Sequence, residues 1–154
     1  MVEIAKFTLS KENPTMKKKI LNTSSTPTLL PRLVVGLVFL SEGMQKFLFP
    51  GALGEGRFAK IGFGHPEFWA SFTGTFEIIC AILVLVGLLT RPASLILIVI
   101  MGVAFITTKY AILMDKGFWS FAHEYRTDFA MTVLLIFLLF YGGGNCSLDQ
   151  RLIQ

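Results

Sequence analysis

Six of the ionisable side chains within or at the edges of the long apolar runs, where a charge is costly, are candidate ligand-binding residues. They are Glu42, Lys46, Glu77, Lys109, Glu124 and Asp128. A charge near the centre of a bilayer costs roughly 3 kcal/mol on insertion scales, so such residues usually face protein or a polar cavity. Together they could bind a ligand or exchange a proton, or they could form a closed network that only fixes the register of the helices. The residue types alone leave these alternatives open.

Glu77 lies near the middle of an apolar stretch, residues 68–89. At about 1.5 Å per residue this stretch is long enough to cross a hydrocarbon core of about 30 Å. On a helix, the small side chains of Thr73, Gly74, Cys80 and Ala81 lie three or four residues from Glu77. Such a stripe lets a neighbouring helix approach closely, so we expect Glu77 to face another helix rather than lipid.

The first apolar run, residues 29–49, carries Glu42 and Lys46 one helical turn apart. The helix face that carries them should also turn inward, close to Glu77 of the second span, because charged side chains are costly in contact with lipid. Gly36 and Gly43 are seven residues apart and predict a close-packing stripe on a different face of the same helix. Arg32 is expected to anchor the cytoplasmic end of this span.

Composition assigns the chain to the membrane proteins. Of its 154 residues, 53% are hydrophobic and only 16% are charged, which is too apolar for an ordinary small soluble domain. The formal charge of +4 does not indicate nucleic acid as a partner, because the basic residues flank apolar runs. The two cysteines, Cys80 and Cys146, form no Cys-x-x-Cys pair and show no metal-ligand spacing, so we expect no encoded metal site or dithiol centre.

Four apolar runs predict an all-α, integral membrane four-helix bundle over residues 29–145. The third span is expected over residues 93–113, after a link so short (residues 90–92) that spans two and three must form a hairpin. Residues 114–126 mix aromatic and charged side chains and are interpreted as a loop with an aromatic belt. The fourth span, residues 125–141, ends at the glycines of 142–144, which are typical of a helix stop.

The first outer loop, residues 50–67, is rich in glycine but contains a short amphipathic segment, residues 57–61. We expect Phe58 and Ile61 to face the membrane interface, with Arg57 and Lys60 turned outward.

The two ends of the chain are polar, and basic residues decide their side of the membrane. Residues 1–28 contain Lys17, Lys18 and Lys19, lack a signal-peptide pattern and are expected to form a mobile cytoplasmic tail. Residues 146–154 are expected to form a short cytoplasmic tail, so both termini lie inside a multi-pass protein of the cell (inner) membrane. Met1 and Met16 are both plausible native starts.

The chain resembles the DoxX-like family of small membrane proteins over residues 29–152. The matching residues are Arg32, Leu33, Gly36, Leu37, Phe39, Gly43 and Lys46 in the first span, Glu77, Gly87, Leu88, Thr90, Arg91, Pro92 and Ala93 in and after the second, Glu124 before the fourth, and Gly142, Ser147, Leu148 and Asp149 at the end. Each motif is weak alone, but their order and spacing are specific together. Many relatives have a histidine before the glycine of the first span, where this chain has Glu42.

The resemblance implies a four-helix membrane bundle. Some members of the family are subunits of oxidoreductases or associate with them, including a thiosulfate:quinone oxidoreductase and a thiol-stress complex. The resemblance therefore implies a quinone as ligand and an oxidoreductase partner subunit as electron donor. We expect a pocket in the outer half of the bundle, lined near Glu42, Lys46, Glu77, Lys109 and Asp128, and we expect Glu124 to belong to the same ligand-binding set.

Two function classes stay open. One is a quinone-interacting membrane subunit of an oxidoreductase. The other is a non-enzymatic scaffold or carrier for a lipid-like ligand or a partner protein. Lipids surround either one, and whether the chain is itself an enzyme or forms a homo-oligomer is not decided by the sequence.

Overall fold

A computed structural model describes residues 28–144 and 146–153, and the regular structure in this part of the chain is helical throughout. The predicted all-α class is confirmed, whereas the expected N-terminal tail falls almost entirely on residues 1–27, outside the described residues. In chain order the helices are α1 (Leu29–Leu48), α2 (Pro50–Leu53), α3 (Glu55–Ile61), α4 (Pro66–Val86), α5 (Thr90–Ala104), a π-helical segment (Phe105–Lys109), α6 (Tyr110–Tyr141) and α7 (Leu148–Ile153).

Two helical segments among the described residues are long and apolar enough to cross a membrane. They are Pro66–Val86 and the continuous stretch Thr90–Tyr141, which has 52 residues. A third candidate is α1 taken together with the segment Pro50–Ile61, which contains α2 and α3. The chain bends by 112° between these two parts, so they count as a candidate only if they form one span. The protein is therefore an all-α membrane protein, and the arrangement with four crossings stays a prediction.

The long stretch from α5 to α6 folds back on itself at Gly117. This residue has φ 79° and ψ 174°, values that interrupt the helix. The parts before and after it lie side by side, since the ring of Phe105 is 6.0 Å from that of Phe121 and Arg91 donates a hydrogen bond to the carbonyl of Phe140 at 2.8 Å. The predicted loop over residues 114–126 is wrong, because this region is helical except at Gly117.

Helices α1 and α4 approach each other closely along small residues. A Cβ added at Gly43 would lie 2.7 Å from the side chain of Ile78 and 3.0 Å from the carbonyl oxygen of Gly74, so a larger residue does not fit. Gly36 packs in the same way against Leu85 of α4. The glycine stripe therefore packs closely as expected, but it faces α4, the same helix that receives Lys46, rather than a different neighbour.

Arg32 connects the start of α1 with the end of α4 and with the segment after α6, instead of anchoring α1 at an interface. Its side chain is buried and donates hydrogen bonds of 2.7 to 3.0 Å to four backbone carbonyls, those of Val84, Leu85, Gly143 and Cys146. These carbonyls lie at the end of α4 and after α6, where no further helical turn satisfies them. Arg32 therefore holds three separate parts of the chain together at the end where α1 begins.

The chain after α6 packs against the turn between α4 and α5. The helix ends at Gly142, as the glycine run predicted, and the buried Asp149 then accepts hydrogen bonds from the backbone N–H groups of Leu89 at 2.7 Å and Thr90 at 3.1 Å. Burial raises the pKa of the Asp149 carboxyl, and these donors together with Arg32 oppose that shift. The segment expected as a short tail thus contains a helix and supplies the cap at the start of α5.

Candidate functional site

A cavity of about 620 Å³ lies between α1, α3, α4, α5, the π-helical segment and α6, at the end of α1 opposite Arg32. Its polar lining is formed by Glu42, Lys46, Arg57, Thr73, Glu77, Thr107, Thr108, Lys109, Thr127 and Asp128. Its apolar lining is formed by Val38, Phe39, Phe58, Ile61, Phe63, Trp69, Phe72, Val99, Ile100, Met101, Val103, Ala104 and Met131. Ligand pockets of proteins commonly have about 300–1,000 Å³ and a mainly apolar lining with a few polar groups, so this cavity is of ligand size.

One ion pair connects α1 and α4 at the wall of this cavity. The Lys46 ammonium lies 2.5 Å from Oε2 of Glu77, and the two side chains are only 10% and 6% exposed. Glu77 packs beside the buried Gly74, Cys80 and Ala81, as the stripe of small residues predicted. Lys46 thus finds its carboxylate on the neighbouring helix, which removes two charges from contact with lipid.

Glu42 lies one turn before Lys46 and has a different environment. Glu42 is exposed and lines the cavity. Its backbone carbonyl oxygen, but not its carboxylate, accepts a hydrogen bond from Nζ of Lys46 at 3.4 Å. Glu42 is therefore at the cavity, as expected, but Lys46 pairs with Glu77 rather than with the Glu42 carboxylate.

A second group of charges connects the π-helical segment with α6. The Lys109 ammonium is 3.4 Å from Oδ2 of Asp128 and 3.9 Å from Oε2 of Glu124, and it donates a hydrogen bond to the Glu124 carbonyl at 3.0 Å. Lys109 and Asp128 line the cavity, whereas Glu124 does not and its side chain is 58% exposed. Glu124 thus lies behind Lys109 and helps to hold it.

An aromatic wall, which the sequence analysis did not assign to the site, covers the side of the cavity formed by α3 and α4. Phe58, Phe63 and Trp69 are joined edge to face with centroids 5.6 and 5.8 Å apart, and Phe72 follows Trp69 at 6.1 Å. In the sequence, the amphipathic pattern of α3 was the signal that could have indicated this wall. The expectation that Phe58 and Ile61 face the membrane interface is wrong. Both line the cavity together with Arg57, because the chain bends by 112° after α1 and α3 then packs on α4.

The opposite wall combines aliphatic residues of α5 with the π-helical segment. Thr107, Thr108 and Lys109 are consecutive in sequence, and all three line the cavity. The Thr107 hydroxyl donates a hydrogen bond to the Val103 carbonyl at 2.8 Å. A planar apolar ring would contact aromatic side chains on one side and aliphatic ones on the other, with ammonium, carboxylate and hydroxyl groups at its edge.

Within the described residues, no group of three or more His, Cys, Asp and Glu side chains is placed to hold a metal ion. Cys80 is buried in α4 and Cys146 is exposed after α6, and both are free thiols. The lysine and carboxyl groups at the cavity can form hydrogen bonds, compensate charge and exchange protons.

Apolar helices around a cavity of ligand size, with the Lys46–Glu77 ion pair buried at its wall, are typical of an integral membrane protein. Residues 28–110 match the DoxX family, and the chain belongs to this family. The match includes Lys46, Glu77 and Lys109 and ends before Asp128.

Two curated relatives extend the similarity beyond the family match. An uncharacterized membrane protein of Mycobacterium tuberculosis is 47% identical over 141 residues, which cover 87% of this chain and 86% of the relative. An uncharacterized protein of Haemophilus influenzae is 32% identical over 126 residues, which cover 80% of this chain and 88% of the relative. No solved structure matches the chain significantly.

Proposed function

We propose that this protein is a quinone-binding subunit of the cell (inner) membrane that works with an oxidoreductase partner. The observation that carries the proposal is the cavity of about 620 Å³, in which an aromatic wall faces two lysine–carboxylate pairs. A quinone has this combination of properties, since its planar ring and tail are apolar and its carbonyl oxygens accept hydrogen bonds. The six residues Glu42, Lys46, Glu77, Lys109, Glu124 and Asp128 are proposed to bind the ligand or to hold the groups that do.

The ion pairs give this proposal a chemical role. Reduction of a quinone to a quinol takes two electrons and two protons, and in the proposal the partner supplies the electrons. Lys46 and Glu77 lie within hydrogen-bonding distance of each other, so a proton can pass between them and a ligand oxygen with little movement. Ionisable residues inside a membrane protein point by default to such a role.

Fluorescence of Trp69 offers a direct binding test. The chain contains two tryptophans, and Trp69 lines the cavity while Trp119 is 83% exposed, so a Trp119→Phe variant reports the cavity alone. Duroquinone, a benzoquinone with all four ring positions methylated, is a suitable probe because it leaves no ring position for the free thiols to attack. We expect saturable quenching of Trp69 by duroquinone, and in the Trp69→Phe variant we expect Trp119 to show only weak, non-saturating quenching.

A second measurement separates the oxidoreductase subunit from a carrier of lipid-like molecules. Quinone extracted with the protein from native membranes should become reduced when those membranes receive a reducing substrate such as a thiol. Absence of saturable quenching would reject the quinone site. Quenching together with a bound quinone that stays oxidised under every donor would favour the carrier function instead.

A further inference from the structure

The helix between Thr90 and Tyr141 contains a π-helical turn only at Phe105–Lys109, within the part of the chain that the structure describes. A π turn holds an extra residue, so it changes the direction of the side chains that follow, and such turns are frequent at functional sites. Here Thr107, Thr108 and Lys109 face the cavity, whereas Ile106 is 70% exposed on the outside. The irregular turn thus coincides with the polar part of this wall.

The Thr108 hydroxyl differs from three other hydroxyls on the helices that follow Thr90. Ser94, Thr107 and Thr132 each donate a hydrogen bond to the backbone carbonyl four residues earlier, at 2.7, 2.8 and 2.8 Å. The Thr108 side chain is half-buried, and its hydroxyl makes no hydrogen bond with any residue between 28 and 144 or between 146 and 153, although it lines the cavity. Because no protein group has to be given up, a ligand oxygen that accepts a hydrogen bond from this hydroxyl gains affinity.

Its neighbour Lys109 is already held on three sides. Its ammonium contacts the Asp128 carboxylate, the Glu124 carboxylate and the Glu124 carbonyl at 3.4, 3.9 and 3.0 Å. Lys109 therefore reaches a ligand only by sharing these partners, whereas Thr108 has its full donor capacity available. On this wall, Thr108 is the donor with the least to lose.

We propose that Thr108 is a ligand-binding residue, turned into the cavity by the π-helical segment, and that its hydroxyl donates a hydrogen bond to a carbonyl oxygen of the bound ring. This inference rests on the proposed function for the presence of a ring ligand and names the group that recognises its oxygen. The ligand class is then a ring that carries a carbonyl oxygen. A hydrocarbon ring or an acyl chain would leave the hydroxyl unpaired and bind less well.

The test compares two probes of nearly the same shape. Duroquinone carries two carbonyl oxygens, and durene is the corresponding tetramethylbenzene without them. Duroquinone binding is measured by quenching of Trp69 in the Trp119→Phe background, and durene binding by its competition with that quenching. Thr108→Val removes the hydroxyl with little change of shape, and Thr108→Ser restores it. The matched control is Thr107→Val, which removes a neighbouring hydroxyl that already donates to Val103.

We expect Thr108→Val to weaken duroquinone binding about fivefold to tenfold, the size of one net hydrogen bond, while the affinity for durene stays the same. Thr108→Ser should retain most of the affinity, and Thr107→Val should change neither. In infrared spectra, the carbonyl stretch of duroquinone bound to the protein with Thr108 intact should lie below its position in a hydrocarbon solvent. Because other donors also line the cavity, this shift is assigned to Thr108 only by its loss in a variant, and Thr108→Ala provides a second variant if Thr108→Val does not fold.

The outcomes separate this inference from the proposed function. If duroquinone binds but Thr108→Val leaves its affinity and its carbonyl stretch unchanged, the assignment of Thr108 is wrong while the quinone site remains. Equal losses for duroquinone and durene, or an equal loss in Thr107→Val, would also reject it, because the effect would then be one of packing. If the protein with both threonines binds neither probe, both proposals fail.

Discussion

Lys46 and Glu77 stabilise the fold only as a pair. Each side chain neutralises the charge of the other in an apolar environment. Because the two side chains are only 10% and 6% exposed, little solvent would screen a charge that has lost its partner. Breaking a buried pair by removing one partner typically costs about 3–5 kcal/mol, whereas replacing both partners with apolar residues is often neutral. Stability and ligand binding should therefore respond differently to single and double substitutions here.

We predict that Lys46→Met lowers the free energy of unfolding by about 3 kcal/mol and that the double variant Lys46→Met with Glu77→Leu regains most of this loss. Unfolding in mixed detergent micelles measures both values. Duroquinone binding should stay weak in the double variant, because the polar groups are gone although the fold is restored. Full recovery of binding would show that this pair is only structural.

Arg32 has a comparable energetic role at the opposite end of α1. Its guanidinium donates to four carbonyls, and Arg32→Met removes all four hydrogen bonds, although the Gly143 and Val84 carbonyls each keep a second donor. We expect this variant to lower the free energy of unfolding by about 3 kcal/mol. Arg32→Lys should recover only part of this, since one ammonium cannot replace a planar fork of donors. The exposed Arg126 provides a control, and Arg126→Met should change stability by about 0.5 kcal/mol or less. Equal stability of the Arg32 and Arg126 variants would contradict this account.

The elements show why some features followed from the sequence and others did not. Span positions and the inward face of Glu77 depend on local patterns, apolar length and small residues at helical spacing, and these are readable from a sequence. The helical character of residues 114–126 was missed because their charged and aromatic side chains are typical of a loop. In the structure, Phe121 and Tyr125 pack on Phe105 of the neighbouring helix with centroids 6.0 and 5.1 Å away, and such contacts between distant residues leave no local signal.

At the element scale, Gly117 is the residue that permits the chain to reverse its direction within α6. Its φ of 79° with ψ of 174° belongs to a region that essentially only glycine adopts, so Gly117→Ala should cost about 1–3 kcal/mol. Gly102→Ala is the matched control, because Gly102 is helical and a Cβ there would meet no atom within 4 Å. This control should stabilise the protein by up to about 1 kcal/mol, since alanine favours a helix. Changes of the same sign in both variants would refute the special role of Gly117.

For the whole molecule, the two ends of the helical region lie together, and the topology with four crossings stays a prediction. The Thr28 hydroxyl donates to the Gly143 carbonyl at 2.6 Å, so the start of α1 and the end of α6 lie together, as an even number of crossings requires. The cavity could be anticipated in part, because charges in apolar runs must converge. The set of carbonyls that accept hydrogen bonds from Arg32 could not be anticipated. It forms where the end of α4 packs against the glycines after α6, and nothing in the local sequence indicates this contact.

Thiol labelling in intact cells tests the side on which these ends lie. With Cys80→Ala as background, the native exposed Cys146 should react with a membrane-impermeant maleimide only after the membrane is opened. Gly64→Cys and Trp119→Cys, both at exposed positions near the other end, should react in intact cells when Cys146 is also replaced by serine. The reverse pattern would invert the orientation, and labelling of both sets from outside would reject four crossings.

The placement of the two ion pairs has a consequence for how the protein enters the membrane. Lys46 pairs with Glu77 inside the first helical hairpin, α1 with α4, and Lys109 pairs with Asp128 inside the second, α5 with α6. We therefore predict that each hairpin enters the membrane as a unit, because its lysine–carboxylate pair is complete before the other hairpin exists. Co-expressed fragments of residues 1–88 and 89–154 should consequently insert separately and reassemble, with Arg32 meeting Gly143 across the break. A fragment that requires its counterpart in order to insert would show that the hairpins are not independent units of biogenesis.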